Sequence, residues 1–360
     1  MEEAGAVVTK PVADCVVMLD RRRLRRKGYN MALQNTPRKA VGIGLALTLL
    51  SGCGAVQTAS LASNPPSLAG NAQIREQNHR GKMILRTSRN EALIYATGGC
   101  GGTCVFSYPQ GTLVGSLSVG SGPTQIGGDC ADKSGNVFIA NDSELVEYSH
   151  GGTQPIATFE LPGRAAIGCS VDPPTNDVAV VFSGTGSNVA IFHNGSGSPE
   201  TFDSGIGSFY CGYDGQGDLF VDGNNGQHAA LAELPSGQKN FVNISVDLPG
   251  VPGQLQWDGK YITYQDRSLG EVAVSRLSVS GTTATVVGVT KFKIGKNSAQ
   301  SWIYQNRIFI PYDNRGATGH QTKVGVWRYP KGGKPLKSIE MPGNNKKSVN
   351  FQGVALSPPA

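Results

Sequence analysis

The chain has 360 residues, 39% hydrophobic and 16% charged, with 32 Lys+Arg against 26 Asp+Glu and a formal net charge of +6. Residues 1–52 read as a leader and hold 9 of those cations and 4 of those anions, so the rest of the chain carries 23 and 22, a net of +1. The basic balance of the whole therefore gives no reason to expect nucleic acid as a partner, and the 308 residues beyond the leader are enough to bury a large core.

The first basic run, RRRLRRKG from Arg21 to Gly28, has no apolar stretch of useful length beside it. Such a run can be a nucleic-acid or membrane patch. Here the expectation is that translation begins at Met31, with residues 1–30 not made, which gives the signal the compact basic region MALQNTPRK. If the earlier residues are made, they stay on the positive, cytoplasmic side. The apolar run AVGIGLALTLL, Ala40 to Leu50, follows Arg38 and Lys39 and is only 11 residues long. A spanning helix takes about 20 apolar residues, so the order of basic flank, short apolar run and small-residue end reads as a secretory signal. Its ending, Leu50-Ser51-Gly52-Cys53, resembles the lipobox of bacterial lipoproteins. The resemblance implies cleavage before Cys53 and acylation of its thiol and new amino group, since stable anchoring takes two acyl chains or more. The alternative is a soluble exported protein in which Cys53 has no such role. Residues 53–82 are polar, with NPPSLAGNAQIREQNHRGK from Asn64 to Lys82, and are expected to form a flexible tether from lipid to body.

From Met83 the chain repeats. An aromatic residue or Leu ends a strand and a turn follows: Tyr108-Pro-Gln-Gly, Tyr148-Ser-His-Gly, Phe192-His-Asn-Gly, Leu234-Pro-Ser-Gly, the looser Leu277-Ser-Val-Ser-Gly, and Tyr329-Pro-Lys-Gly. The steps between them are 40, 44, 42, 43 and 52 residues, a period suited to one four-stranded propeller blade. The long step contains YDNRGATGHQT, Tyr312 to Thr322, expected to be an extra loop. A second repeat places an Asp before a turn and an apolar strand after it, at Asp132, Asp172, Asp214 and Asp258, with Asn306 in the sixth unit. An Asp in that position accepts hydrogen bonds from amides further on and fixes the turn. The strands alternate or run apolar with Val, Ile and Phe. The third unit parses as AIGCSV, DVAVVF, NVAIF and PETFD, and the fourth as FYCGY, DLFVD, AALAEL and KNFVNI. No long stretch with a period of 3.6 residues follows the leader, so the fold class is all-β.

The first unit lacks an inner strand before Asn90, while a surplus strand, Asn350-FQGVALSPP, follows the last. The C-terminus is therefore expected to supply the innermost strand of the first blade and close the ring. With phrases such as DKSGNVFIAN, residues 84–360 resemble six-bladed β-propellers of the NHL type, set in an exported bacterial lipoprotein. That implies a six-bladed β-propeller of four-stranded blades over residues 83–360, and says little about function. Some six-bladed relatives are gluconolactonase-like hydrolases that hold a divalent metal in the central channel with Glu, Asn and Asp. The segments expected to line the channel here are GDCA, GCSV, YCGY, QLQW, WIYQ and GVAL, of which Asp129 is the one carboxylate. A hard cation needs several converging oxygens, so no metal, no cofactor and no catalytic residue is assigned. Asp214-GQGDLFVD has the look of a calcium loop, but it lacks the glycine spacing of one and repeats as a turn in other units. No G-x-S-x-G, P-loop or H-E-x-x-H is present. The histidines are scattered, with His150 and His193 at matching turn positions expected to be solvated. Trp257, Trp302 and Trp327 are expected to pack between blades.

Beyond Cys53, five cysteines remain in the body, and disulfides are permitted outside the cytoplasm. Cys100 and Cys104 flank a Gly-rich loop and are expected to pair. Cys130, Cys169 and Cys211 fall on inner strands, where small buried thiols pack well. Cys169 and Cys211 hold matching positions on adjacent blades, a spacing that puts their bridging in doubt. Charge is uneven: residues 53–280 carry 11 Lys+Arg and 20 Asp+Glu, and residues 281–360 carry 12 and 2. The sixth blade and closing strand are thus expected to form a basic wedge built from Lys291, Lys293, Lys296, Lys331, Lys334, Lys337, Lys346 and Lys347. Such a patch suits diffuse attraction to anionic lipid or an acidic envelope polysaccharide, and the alternative is a solvated surface that balances charge. The sequence therefore points to a lipid-anchored, extracytoplasmic binding or scaffold module, whose partner is the membrane, an envelope polysaccharide or another envelope protein. The competing reading is a hydrolase or lyase sited in the channel.

Overall fold

The glycine that ends each copy of the first repeat has a physical reason to be there. In the computed structural model all six take a left-handed backbone: Gly111 (φ 69°), Gly151 (64°), Gly195 (57°), Gly237 (74°), Gly281 (56°) and Gly332 (68°). An L side chain is disfavoured in that conformation. Each of these glycines turns the third strand of a blade into the fourth. The structure describes residues 90–359 except 120–126, 163–164, 227, 249, 269–271, 295–296, 299, 314–321, 341 and 343–350. The leader, Cys53 and the expected tether lie outside the described residues, as does most of the loop expected at 312–322.

Blade 1 contributes β1 (Ala92–Gly99), β2 (Gly102–Tyr108) and β3 (Leu113–Leu117), and blade 2 β4 (Asp129–Ala131), β5 (Val137–Asn141), β6 (Glu144–Tyr148) and β7 (Pro155–Glu160). Blade 3 is β8 (Ala166–Val171), β9 (Val178–Phe182), β10 (Ser187–Phe192) and β11 (Glu200–Asp203). Blade 4 is β12 (Gly207–Tyr213), β13 (Leu219–Asn225), β14 (His228–Leu234) and β15 (Val242–Ile244). Blade 5 is β16 (Pro252–Trp257), β17 (Ile262–Asp266), β18 (Val272–Ser280) and β19 (Thr283–Phe292). Blade 6 holds β20 (Asn297–Ser298), β21 (Trp302–Tyr304), β22 (Arg307–Asp313), β23 (Lys323–Arg328) and β24 (Lys337–Glu340), and the last strand is β25 (Gly353–Ser357). Every pairing within a blade is antiparallel, and no α-helix occurs among the described residues. The molecule is a six-bladed β-propeller. The strands of the third and fourth units match those read from sequence to within a few residues at each end.

β25 closes the ring as expected. It pairs antiparallel with β1, Leu93 opposite Ser357 and Thr97 opposite Gly353, and becomes the innermost strand of blade 1. Because side chains alternate faces along each strand, every blade buries both faces against its neighbours. Six apolar clusters result, one for each pair of adjacent blades. The cluster that joins the last blade to the first unites Ile94, Phe106 and Leu356 with Phe309, Val324 and Ile339. Closure therefore rests on buried side chains as well as on strand pairing. The turn aspartates do the work read for them. Asp132 Oδ1 accepts the Asn136 amide at 2.8 Å, Asp214 Oδ1 those of Gln216 and Asp218 at 2.8 and 3.0 Å, and Asp258 Oδ1 those of Lys260 and Tyr261 at 3.0 and 2.9 Å.

Candidate functional site

The inner strands crowd the axis, and at one level polar groups lock it. The Gln300 side chain acts as a short piece of extra backbone: its Oε1 accepts the Asp129 amide at 2.7 Å and its Nε2 donates to the Asp129 carbonyl at 2.6 Å. This joins the chain entering blade 6 to blade 2. The Asp129 carboxylate is fully buried, with Thr97 Oγ1 at 2.7 and 2.9 Å from its two oxygens. Burial pushes its pKa up from 3.8 to about 7. The one carboxylate that sequence placed on the channel is therefore a structural group without access to solvent. Gln256 makes the same kind of amide clamp between blades 5 and 6, accepting the Ile303 amide at 2.6 Å and donating to its carbonyl at 2.8 Å. A second buried carboxylate escaped the sequence reading. Asp222, on the second strand of blade 4, accepts the Tyr210 amide at 2.8 Å, and Arg267 stacks 5.2 Å from the Tyr210 ring. Burial holds the Asp222 carboxyl well above the usual range.

Where the inner strands leave the axis toward their Asp turns, they open into a cavity of about 410 Å³. Its walls come from four blades. Leu356 and Pro358 follow from blade 1, Ala131, Asp132 and Lys133 from blade 2, Val171, Asp172, Pro173 and Asn176 from blade 3, and Trp302, Ile303 and Tyr304 from blade 6. Trp302 is half-buried and packs against the clusters of three different blade pairs, so its ring is held while one part of it faces the cavity. Lys133 reaches across the rim to donate to the Pro173 carbonyl at 3.1 Å. Asp172 departs from its sister turns. Its Oδ2 accepts the Thr175 hydroxyl at 2.5 Å, while its buried Oδ1 has no protein partner. The mouth thus combines an aromatic and aliphatic floor with a few polar groups at one edge, which is the usual make-up of a small-ligand site.

Asp172 also forms the head of a smaller groove, about 130 Å³, between blades 3 and 4. There His193 bridges Asp177 at 2.9 Å and Glu200 at 3.1 Å, and Lys239 pairs with Glu200 at 2.7 Å. The contacts with Asp177 and then Glu200 hold the His193 pKa above its ordinary value. His193 remains more than half exposed, so this is a surface charge relay. His150 differs from the solvated turn expected for it. It is half-buried, and its Nδ1 lies 2.6 Å from the Ser357 hydroxyl of the closing strand, pinning blade 2 to blade 1. Of the tryptophans, Trp327 is fully buried between blades 5 and 6, whereas Trp257 and Trp302 are half-buried.

The cysteines sort by strand alternation. Cys100 and Cys104 form a disulfide with Cα atoms 5.2 Å apart. Cys130 and Cys169, read as packed thiols, form a second one between the inner strands of blades 2 and 3, and Cys211 is free and buried. Cys169 and Cys211 both sit three residues before their turn Asp, whereas Cys130 sits two before its own. With a period of two, Cys169 faces back toward blade 2 and Cys211 back toward blade 3, so those two point the same way round the ring and never meet. Cys130 has the opposite parity and faces Cys169. Counting to the turn Asp was the signal that could have found this pair. Of the wedge lysines, Lys291, Lys293, Lys331, Lys334 and Lys337 are exposed, and Lys337 donates to the Pro109 carbonyl at 2.9 Å across the blade 6 to blade 1 joint. Lys296, Lys346 and Lys347 lie outside the described residues. Among the described residues no group of three or more His, Cys, Asp or Glu could hold a metal ion, and no helix is long and apolar enough to cross a membrane.

No protein-family model and no curated protein matches the chain. Solved structures do. One is a chain in a crystal structure of a nidogen/laminin complex, 13% identical, with a TM-score of 0.55 over 75% of this chain and 98% of that one. Another is a protein of unknown function from Bacteroides caccae, 14% identical, with a TM-score of 0.54 over 74% of this chain and 98% of that one. At these identities the likeness is one of fold.

Proposed function

We propose that the chain is an exported, lipid-anchored binding or scaffold module that takes its ligand at the axial mouth. The observation that carries this reading is the cavity of about 410 Å³ to which four blades contribute, floored by Trp302, Ile303 and Leu356 and edged by Asp132, Asn176 and Lys133. A flat apolar face would lie on Trp302, and a polar edge of the same ligand would meet the carboxylates and amide. The ordered signal ending at Cys53 supports the anchor. Residues 53–82 would then act as a tether of 30 residues, with a reach of about 30 Å as a flexible coil. The exposed lysines of blades 5 and 6 would bias the tethered body toward anionic lipid, an acidic envelope polysaccharide or an acidic envelope protein.

Two measurements test the reading. Mass spectrometry of the mature N-terminus should find an acylated Cys53, and an unmodified Cys53 or cleavage elsewhere removes the anchor. Native mass spectrometry against a panel of envelope glycans and peptides should find a ligand that Trp302→Ala weakens. Binding that is indifferent to Trp302→Ala refutes the axial mouth as the site.

A further inference from the structure

At two joints between blades, acids meet cations. Lys239 pairs with Glu200 at 2.7 Å between blades 3 and 4, and Arg276 pairs with Asp258 at 2.7 Å beside Tyr329 of blade 6. The joint of blades 4 and 5 lies between these two and holds acids without a cation. Its cleft, about 440 Å³, is lined by Asp214, Asp218 and Glu233 and walled by Phe220, Val242 and Val279. No Lys, Arg or His is among the described residues that line it. Strand alternation explains how Glu233 comes to be there. It stands two residues from Leu231, which packs in the apolar cluster between blades 4 and 5, so both lie on the same face of the sheet. Phe220 and Val242 sit directly opposite Glu233 on the two neighbouring strands. The carboxylate is therefore half-buried in an apolar row, and it has no hydrogen-bond or ion-pair partner among the described residues.

Asp214 is only 8% exposed, and its turn uses one of its two oxygens. Oδ1 accepts the Gln216 and Asp218 amides at 2.8 and 3.0 Å, while Oδ2 accepts no hydrogen bond of ordinary geometry and faces the cleft. Asp218 spends Oδ1 on the Ser236 amide at 2.7 Å. Burial, then Asp218 and Asp214, hold the Glu233 carboxyl above its ordinary value, and burial raises Asp214 too, as expected of crowded acids with no cation between them. Among the described residues no acids converge closely enough to hold a metal ion. The cation that suits them spreads its donors over a plane and brings an apolar stem for the valine wall. A guanidinium does both: it carries five N–H donors in a fixed fork and is weakly hydrated, whereas an ammonium is a compact, strongly hydrated point charge. We infer that this cleft binds a guanidinium on an aliphatic stem, the head set among Asp214, Asp218 and Glu233 and the stem along Val242 and Val279. Its source is an arginine side chain of a partner protein or a free alkylguanidine. The cleft shares no lining residue with the axial mouth, so the inference stands apart from the function proposed there.

Isothermal titration calorimetry on the full-length chain carrying Cys53→Ser, which takes no acyl chain at that position, tests this. The probes are acetyl-glycyl-arginyl-glycinamide and agmatine, each with its neutral urea isostere as control, and the lysyl counterpart of the peptide. At least one guanidinium probe should bind, at least tenfold more tightly than its urea isostere, and binding should weaken as salt rises. Binding of the peptide assigns the arginine of a partner protein, and binding of agmatine alone assigns a free alkylguanidine. Glu233→Gln keeps the shape and removes the charge, and should weaken binding at least tenfold. Val242→Lys sets a cation of the chain's own directly opposite Glu233 and should weaken it at least as much. Both positions reach solvent, and circular dichroism confirms that each variant is folded. Failure of both guanidinium probes to bind, a urea isostere or the lysyl peptide that binds as tightly as its guanidinium counterpart, or either variant binding as the wild type does overturns the inference.

Discussion

Asp129→Asn should leave the propeller folded and abolish the share of the pH-dependent loss of stability that Asp129 causes between about pH 4 and about pH 7. Asp129 is fully buried, and burial moves its pKa from 3.8 to about 7. The sign follows from which state sheds its proton first. With the folded value raised, the unfolded chain ionises at the lower pH, so the contribution of Asp129 is most favourable below 3.8, declines as pH climbs, and is level above about 7. Three pKa units at about 1.36 kcal/mol each give roughly 4 kcal/mol across that window. The local geometry agrees with a neutral acid. Thr97 Oγ1 lies 2.7 Å from the carboxyl and 2.8 Å from Thr103 Oγ1, and Thr103 donates to the Val119 carbonyl at 3.1 Å. A protonated Asp129 can donate to Thr97, Thr97 to Thr103 and Thr103 to the carbonyl, one hydrogen for each step. Once ionised, Asp129 and Thr103 compete for the single Thr97 hydrogen.

Asparagine supplies the donor without the proton equilibrium, and the Gln300 clamp on the Asp129 backbone does not involve the side chain that changes. Urea denaturation of wild type and variant at half-unit steps of pH measures the effect. Glu147, raised to about 7, and Asp222, also raised, tilt both proteins the same way and cancel in the difference. The variant should gain on the wild type by up to about 4 kcal/mol between the acid and neutral ends. Two stability curves that stay parallel from end to end would refute the reasoning.

Removing residues 350–360 takes away the inner strand of blade 1 with buried Phe351, Val354 and Leu356. At about 1.5–3 kcal/mol for each large side chain, the loss rivals the whole stability of a domain, so the truncated chain should lose its cooperative melt, and an unchanged midpoint would mean closure does not depend on this strand. In exported protein, thiol labelling under denaturing, non-reducing conditions should reach Cys211 alone among the five body cysteines, and labelling at Cys100 or Cys130 rejects the corresponding bridge. Cys130→Ser/Cys169→Ser should cost about 4 kcal/mol from the 39-residue separation it reopens, more than loss of the four-residue Cys100–Cys104 loop. Binding of the unlipidated body to anionic vesicles should fall steeply with salt and with Lys331→Glu/Lys334→Glu, and equal binding to neutral vesicles at low salt would reduce these lysines to ordinary surface.

The propeller was legible because its constraints are local and repeated. A glycine forced to positive φ, an Asp that caps a turn and an alternating strand each leave a mark within a few residues, and six copies make the marks unmistakable. Closure was legible for a related reason: one unit short of an inner strand and one surplus strand leave a single way to complete the ring. The axial mouth left no such mark. Its floor is assembled from residues such as Ala131, Val171 and Ile303, each an ordinary strand end, brought together only when four blades converge. Asp222 was missed because the repeat does not use that position, and the register shift between Ser208 and Tyr210 that turns an amide toward it is invisible in the text.

What the repeat dictates is the shape, so chemistry particular to this chain has to appear where a unit departs from its sisters. Three turn aspartates hold amides of their own turns, and Asp172 leaves an oxygen buried without a partner beside the axial mouth. Five outer strands stop short, and β19 runs on uncharged between a basic end and an acidic cleft. In the sixth blade the inner strand carries Trp302, opposite Phe309, and that ring floors the cavity. The departure at Asp172 costs what the sister units keep, a carboxylate held by the amides of its own turn. A costly exception in one copy of a sixfold repeat is more informative about function than any phrase the copies share, because the fold alone gives no reason for it.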